Sequence, residues 1–326
     1  MGMGIRLHIH PKEPGMTWKT FCETMGPYAI ALDGYVAGGP EYDKKGPRAS
    51  FNDHENVDSF STRSTCGQIY FAIRRGLFRK FKDEHGQPHA DLYMNGCDED
   101  IGLSCVQLKH SDLIEQKKSR RVDPQVYQRL FELVMMEDAL DTTCGAYPLP
   151  LDYPTLERVN WVFDPFHIFR LAGKVQEFDA HAYRKIIDTM GERSMEYIHG
   201  RGGRVELDMR FEVIGGGPNW SMVRKIGAQA RTGMFAKGIH AYVMAQHRGT
   251  EQRWDYSLGR TGIFDDFDLL RIYRLLNQEE GLVGNPDCWG GGNTKGGSAR
   301  FAGSKTLPAR VEEIINRECT CREKKR

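Results

Sequence analysis

Strand-like and helix-like segments alternate through the first half of the chain, and acidic residues punctuate the joins. Tyr28 to Leu32 is a short apolar run ending in Asp33-Gly34, the pattern of a buried strand with a carboxylate at its carboxyl end. Ser64 to Phe81 carries Ile69, Ile73 and Leu77 at helical spacing. Ala90 to Met94 reads as a strand and runs into Cys97-Asp98-Glu99-Asp100, after which Ile101 to His110 resumes as a helix. A further helix, about Pro124 to Met136, leads to Asp138 and Asp141. Strand, acidic turn and helix in repetition predict an α/β fold with a mostly parallel sheet, whose ligands gather at the carboxyl ends of the strands.

The second half repeats the class in a different form. Prolines at 148, 150, 154 and 165 and a helix over Asp179 to Ile198 predict a helical connector, 151–203. Beyond it Val205 to Ile214 alternates like a strand, Gly215-Gly-Gly-Pro218 breaks it, and Trp220 to Arg231 suits a helix. Strands are expected at Ile239 to Ala245 and Arg253 to Leu258, a helix at Asp266 to Asn277, and a strand and helix at Leu307 to Asn316. The expected domains are therefore 1–150, a connector, and a smaller α/β domain over 204–326.

With 326 residues, 40% of them hydrophobic, the chain can bury one or two cores without covalent staples. Lys+Arg 45 against Asp+Glu 44 leaves a net charge of +1, which argues against wrapping along many duplex phosphates but not against a short nucleic acid at one patch. No apolar run reaches the ~18–20 residues that span a bilayer, and MGMGIRLHIHPKEPG has no signal-peptide form, so no membrane partner is expected. Eight scattered cysteines fit reduced thiols in a cytoplasmic protein. Cys319-Thr-Cys321 has no second pair at zinc spacing, and Lys117-Lys-Ser-Arg-Arg121 reads mainly as a solvated helix end. His8 and His10 share one face of a strand and are left without a role.

Asp98-Glu-Asp100 followed by Ser104 places two carboxylates at a strand-to-helix turn, where both can reach one divalent cation. Taken alone, the motif is better explained as an acidic helix start, which needs only one such residue. Asn52-Asp53-His54-Glu55 adds an imidazole and two carboxylates after a Gly/Pro loop, a mixture that manganese accepts. With Asp33 these make three acidic clusters in one α/β half, which points to a dinuclear site able to hold phosphate and activate water.

These residues also carry a resemblance. Asp33-Gly-Tyr-Val-Ala-Gly-Gly-Pro-Glu-Tyr-Asp43 through Phe51-Asn-Asp-His-Glu55 resembles the stretch of DHH-superfamily phosphoesterases (RecJ- and nanoRNase-like) from a metal-binding Asp to the Asp-His-His signature. Cys97-Asp-Glu-Asp-Ile-Gly-Leu-Ser104 is similar to their Pro-Asp-x-Asp motif, and Glu137-Asp-Ala-Leu-Asp141-Thr-Thr-Cys-Gly145 to the motif that adds one more Asp. Gly290-Gly-Gly-Asn293-Thr-Lys-Gly-Gly-Ser298, with the lead-in Tyr256-Ser-Leu258 and Phe264-Asp265, resembles the Gly-Gly-Gly-His loop of the associated substrate-binding domain. The family places D-x-D before Asp-His-His; here it follows, so the amino-terminal domain would be circularly permuted, which a sheet survives when its termini lie close together. Asn52 stands where the first Asp belongs, Asp53 where the first His belongs, Met94 and Asn95 where a His precedes D-x-D, and Asn293 in place of the loop His.

The resemblance implies a metal-dependent phosphodiesterase or exonuclease cleaving short nucleic acids or nucleotides with two ions, Mn2+ or Mg2+. It implies metal ligands Asp33, Asp53, His54, Asp98, Asp100 and one of Asp138 or Asp141, with Asp98, Asp100 and His54 catalytic. Gly290, Gly291, Gly292, Asn293, Lys295 and Arg260 would bind substrate phosphate, the loop facing the acidic cluster across a cleft. The alternative is a nucleotide- or nucleic-acid-binding regulatory protein whose chemistry was lost at Asn52 and Asn293. Oligomeric state is left open, a homodimer included.

Overall fold

The structure is a computed structural model that describes residues 4–54, 57–115, 122–145, 149–249 and 252–323. The basic run 117–121, Glu55 and Pro148 lie outside the described residues, as does the side chain of Cys321. The chain divides into two compact units, one of residues 1–57, 62–142 and 150–206, the other of 58–61, 143–149 and 207–326.

The first unit contains strands β1 (Ile5–Ile9), β2 (Met16–Thr17), β3 (Ala29–Leu32), β4 (Val36–Ala37), β5 (Glu41–Asp43), β6 (Arg48–Phe51) and β7 (Ala90–Met94). Its helices include α1 (Trp18–Thr24), α2 (Thr65–Arg74), α3 (Glu99–Lys109), α4 (Asp112–Glu115), α5 (Pro124–Thr142), α6 (Thr155–Leu171) and α7 (Ala180–Ile198). Five strands form one sheet in the order β1-β7-β3-β6-β5. β1, β7, β3 and β6 run parallel, and β5 is the antiparallel edge. Every residue of β3 is buried, as its unbroken apolar run requires for a central parallel strand.

α3 is buried from Asp100 to Leu108 between α2 and α7. Gly102 permits this, because a Cβ there would lie 2.4 Å from the Met190 methyl carbon on α7. The stretch 151–203, expected as a connector, is instead built into this unit. α6 and α7 pack on each other and bury Val159, Phe163, Phe166, Tyr183, Ile187 and Met190, an apolar face that a solvated linker could not carry. Pro165 lies inside α6 and does not end it.

The second unit contains β8 (Phe211–Gly217), β9 (Trp220–Lys225), α8 (Ala230–Ala236), β10 (Ala241–His247), β11 (Trp254–Arg260), α9 (Leu269–Glu280), β12 (Gly290–Gly291), β13 (Lys295–Gly297) and α10 (Pro308–Glu323). Its six-stranded sheet has the order β12-β13-β11-β10-β9-β8 and is antiparallel except at β10–β9. α9 and α10 close one face around Trp220, Phe267, Tyr273, Trp289 and Val311.

Three expectations fail in this unit. The strand expected over Val205 to Ile214 and broken by Gly215-Gly-Gly is instead β8, Phe211–Gly217, which takes in those glycines. Trp220 to Arg231 is not one helix: Trp220–Lys225 is a strand, and the helix starts only at Ala230. Gly217 pairs with Trp220, so Pro218-Asn219 is a tight hairpin turn where a strand-to-helix break was expected. Burial of Trp220, Met222 and Val223 between two partner strands overrides the helical spacing. At the end of the chain Leu307 to Asn316 contributes only to helix α10, and the strand expected there does not form. No helix among the described residues is long and apolar enough to cross a membrane.

Candidate metal centre

At the end of β3 the chain reverses through two consecutive left-handed residues, Asp33 (φ 47°) and Gly34 (φ 79°). Asp is among the few side chains that tolerate this region. The Asp33 N–H still donates to the Phe51 carbonyl (2.9 Å), so the ladder to β6 continues while the carboxylate is turned to the sheet edge.

Asn52 locks this turn to the next. Its Oδ1 accepts from Gly34 N–H (2.9 Å) and His54 N–H (3.1 Å), and its Nδ2 donates to the Gly38 carbonyl (2.8 Å). Asn52 is thus a fully engaged bracket for the turns that carry Asp33 and His54. His54 Nε2 comes within 2.5 Å of Asp33 Oδ1.

A second set of carboxylates arrives with the helices. Asp98 caps α3, its Oδ1 accepting from Ile101 N–H (3.1 Å). Asp100, in the first turn of α3, accepts from Thr65 N–H and Cys66 N–H, each 2.7 Å away, and so serves the start of α2. Thr65 Oγ1 reaches Asp53 Oδ1 (3.4 Å). Asp138 is taken up elsewhere, its oxygens accepting from Ser64 N–H (2.9 Å) and Arg63 (2.5 Å). Gly67 allows that approach, since a Cβ there would stand 2.4 Å from Asp138 Oδ1.

Two groups result. Asp33, Asp53 and His54 bring one ligand atom each within 4.8 Å of one another, and so do Asp53, Asp100 and Asp141. Asp53 belongs to both. Of the two residues left open at the end of α5, Asp141 joins the cluster and Asp138 does not. Asp98 lies outside both triads, although its charge is felt by the group.

The electrostatics follow from the crowding. Burial pushes the Asp100 carboxyl well above its ordinary range, and the charges of Asp141, Asp33 and Asp53 push it further. Asp98 is raised by burial, then by Asp33 and Glu99. Glu137, buried on α5, is raised by burial, then by Glu99, Asp141, Asp100 and Asp98. Glu99 goes the other way. Burial raises it, but Arg170 and a 2.8 Å contact with His167 together outweigh that and bring it down to about 2.

The donor set suits a hard or borderline divalent cation. Four carboxylates and one imidazole match manganese or magnesium better than a thiolate-seeking ion. Asp33 Oδ1 is buried against His54 Nε2 without a well-formed hydrogen bond between them, and coordination by a cation would satisfy both atoms. Sequence spacing did not point to Asn52, Arg63, Glu99 or His167 as supports of the cluster. The one available signal was Ser64-Thr65 at the start of a helical pattern, a capping signature that places a helix terminus beside the acids.

The glycine loop of the second unit has a different character. Gly290–Gly291 and Lys295–Gly297 form an antiparallel hairpin. A Cβ on Gly296 would lie 2.2 Å from Tyr273 Oη, and one on Gly297 would lie 2.4 Å from the Tyr256 carbonyl oxygen. Arg260 is bound into the turn, its Nε donating to Asn293 O (2.7 Å) and Nη1 to Asp265 O (2.9 Å). Asn293 Oδ1 is buried without a hydrogen-bond partner.

No protein-family model, no curated protein and no solved structure matches this chain.

Proposed function

We propose that this protein is a metal-dependent phosphodiesterase acting on short nucleic acids or nucleotides. The observation that carries the proposal is the sharing of Asp53 by two acidic triads at the carboxyl edge of a parallel sheet. Asp33, Asp53 and His54 would hold one ion and Asp53, Asp100 and Asp141 the other, manganese or magnesium in each case. Two ions so placed supply an activated water and stabilise both the attacking and the leaving oxygen of an in-line displacement.

The protein's own residues set this up. Asn52 fixes the turns that present Asp33 and His54, and Asp98 caps α3 beside them. Asp100 is aimed by the first amides of α2. In the second unit Lys295, Arg260 and the Gly290–Asn293 hairpin form the proposed phosphate contact, on the strength of the resemblance to the family's glycine loop. The experiment is metal analysis of protein dialysed against manganese, with turnover of bis(p-nitrophenyl) phosphate. About two bound ions and manganese-dependent release of nitrophenol support the reading. Absence of both removes it.

A further inference from the structure

We propose that His10 is the proton donor to the leaving oxygen of the phosphodiester, oriented for that task by Glu13 and Tyr35. The inference rests on the metal-dependent reading above and deepens it.

β1 ends at Ile9, so His10 stands at the same carboxyl edge of the sheet as Asp33 and Asp53. Its backbone N–H donates to the carbonyl of Met94 (2.9 Å), the last residue of β7, four residues before Asp98. Its Nδ1 lies 2.9 Å from Tyr35 Oη and 3.1 Å from Glu13 Oε2. Tyr35 Oη donates its one hydrogen to Glu13 Oε2 (2.8 Å). Both oxygens near Nδ1 therefore act as acceptors, and Nδ1 carries a hydrogen.

The assembly is tied to the acidic turns. Tyr35 follows Asp33 by two residues and is fully buried. The Glu13 carbonyl accepts from Asn95 Nδ2 (3.2 Å) in the turn that leads to Asp98. Tyr93 presents its ring to His10 edge-on, 6.2 Å between centroids. Glu13, Tyr35 and Tyr93 are the titratable groups around the imidazole. Among the described residues Nε2 has no hydrogen-bond partner, and the side chain is 35% exposed. A carboxylate on one ring nitrogen and an open second nitrogen is the arrangement that orients an imidazole for proton transfer and stabilises its cation.

The step balances. Water oxygen bonds to phosphorus and gives up a proton to solvent. The ester P–O bond breaks with its electron pair on the leaving oxygen, and His10 Nε2–H gives that oxygen a proton. The neutral imidazole regains its proton from solvent, and Glu13 and Tyr35 keep theirs throughout or carry none.

The test compares leaving groups in the manganese-loaded protein. A dinucleotide expels a ribose alkoxide, which needs a proton, and a nucleoside p-nitrophenyl phosphate expels a phenolate, which does not. His10→Ala should lower kcat on the dinucleotide by about 10²–10⁴-fold and change the p-nitrophenyl ester by less than about tenfold, with manganese affinity unchanged. Glu13→Gln, which retains size and fold, should show the same split at smaller amplitude. Equal losses on both substrates, or no loss on the dinucleotide in either variant, would overturn the assignment. Wild-type protein that binds no manganese and cleaves neither substrate overturns the phosphodiesterase reading itself and takes this one with it.

Discussion

At the carboxyl edge of β3, β6 and β7, residues from four separated stretches converge, and a buried oxygen of Asp33 stands against the His54 imidazole without a well-formed hydrogen bond. In the hairpin of Gly290 to Gly297 the glycines instead face Tyr273, the Tyr256 backbone and one another, at distances that leave no room for a side chain. By sequence both stretches offer the same chemistry. They differ in what the fold leaves over once packing is satisfied. At the acidic edge it leaves crowded carboxyls short of compensating cations, and burial and like charges hold Asp98, Asp100 and Glu137 protonated more strongly than free carboxyls. In the hairpin the absence of side chains is already consumed by close backbone approach, and anion binding is not needed to explain it.

Asp53 is the place to break that contrast. Asp53→Asn removes the charge shared by both triads and should lower manganese-dependent turnover by about 10³-fold or more, with loss of bound metal. Asp138→Asn, one helical turn before Asp141, should leave metal content intact while costing stability, because its carboxylate serves Ser64 and Arg63. Equal metal loss in the two variants would dissolve the distinction between cluster and support.

The acidic edge should also announce itself in the pH dependence of stability. Asp98, Asp100 and Glu137 are raised in the folded state, so that state binds more protons than the unfolded chain. Their contribution is complete below the unfolded value and is lost as pH rises through the folded one. In chelator, Tm should therefore fall over the interval in which pH rises above the ordinary carboxylate range, and manganese should restore most of the loss, because a cation replaces the protons. A chelated protein whose Tm rises over that interval and ignores manganese would show that the cluster carries no such strain.

For the hairpin, Gly296→Ala should destabilise the second unit by about 1–3 kcal/mol through collision with Tyr273 Oη and the Gly290 carbonyl, read as a drop in Tm. Asn52→Ala should weaken manganese binding by about 10–100-fold in titration, through freedom of the turns at Asp33 and His54. The smallest effect belongs to Lys295→Ala, with KM for a dinucleotide rising about threefold and kcat unchanged, the signature of a binding contact. A change in kcat instead would move Lys295 into the chemistry.

Much of the first unit could be read without coordinates. The all-apolar run of β3, the strand Ala90–Met94 and the helices that begin near Thr65, Glu99 and Pro124 follow from local periodicity and from residues that stop or cap an element. So does the α/β class, and with it the expectation that carboxylates at strand ends collect at one edge. Other features depend on partners distant in the chain. Trp220–Lys225 becomes a strand because β8 and β10 flank it. The helices of 151–203 join the first unit because their buried faces find one another there and α7 finds α3. The choice of Asp141 over Asp138 depends on Arg63 and on Gly67, some seventy residues earlier. Local sequence determines which backbone a segment prefers and which chemistry it can offer. Which carboxylate is neutralised by a neighbour and which remains exposed to a cation is decided only when packing brings those neighbours within hydrogen-bond reach.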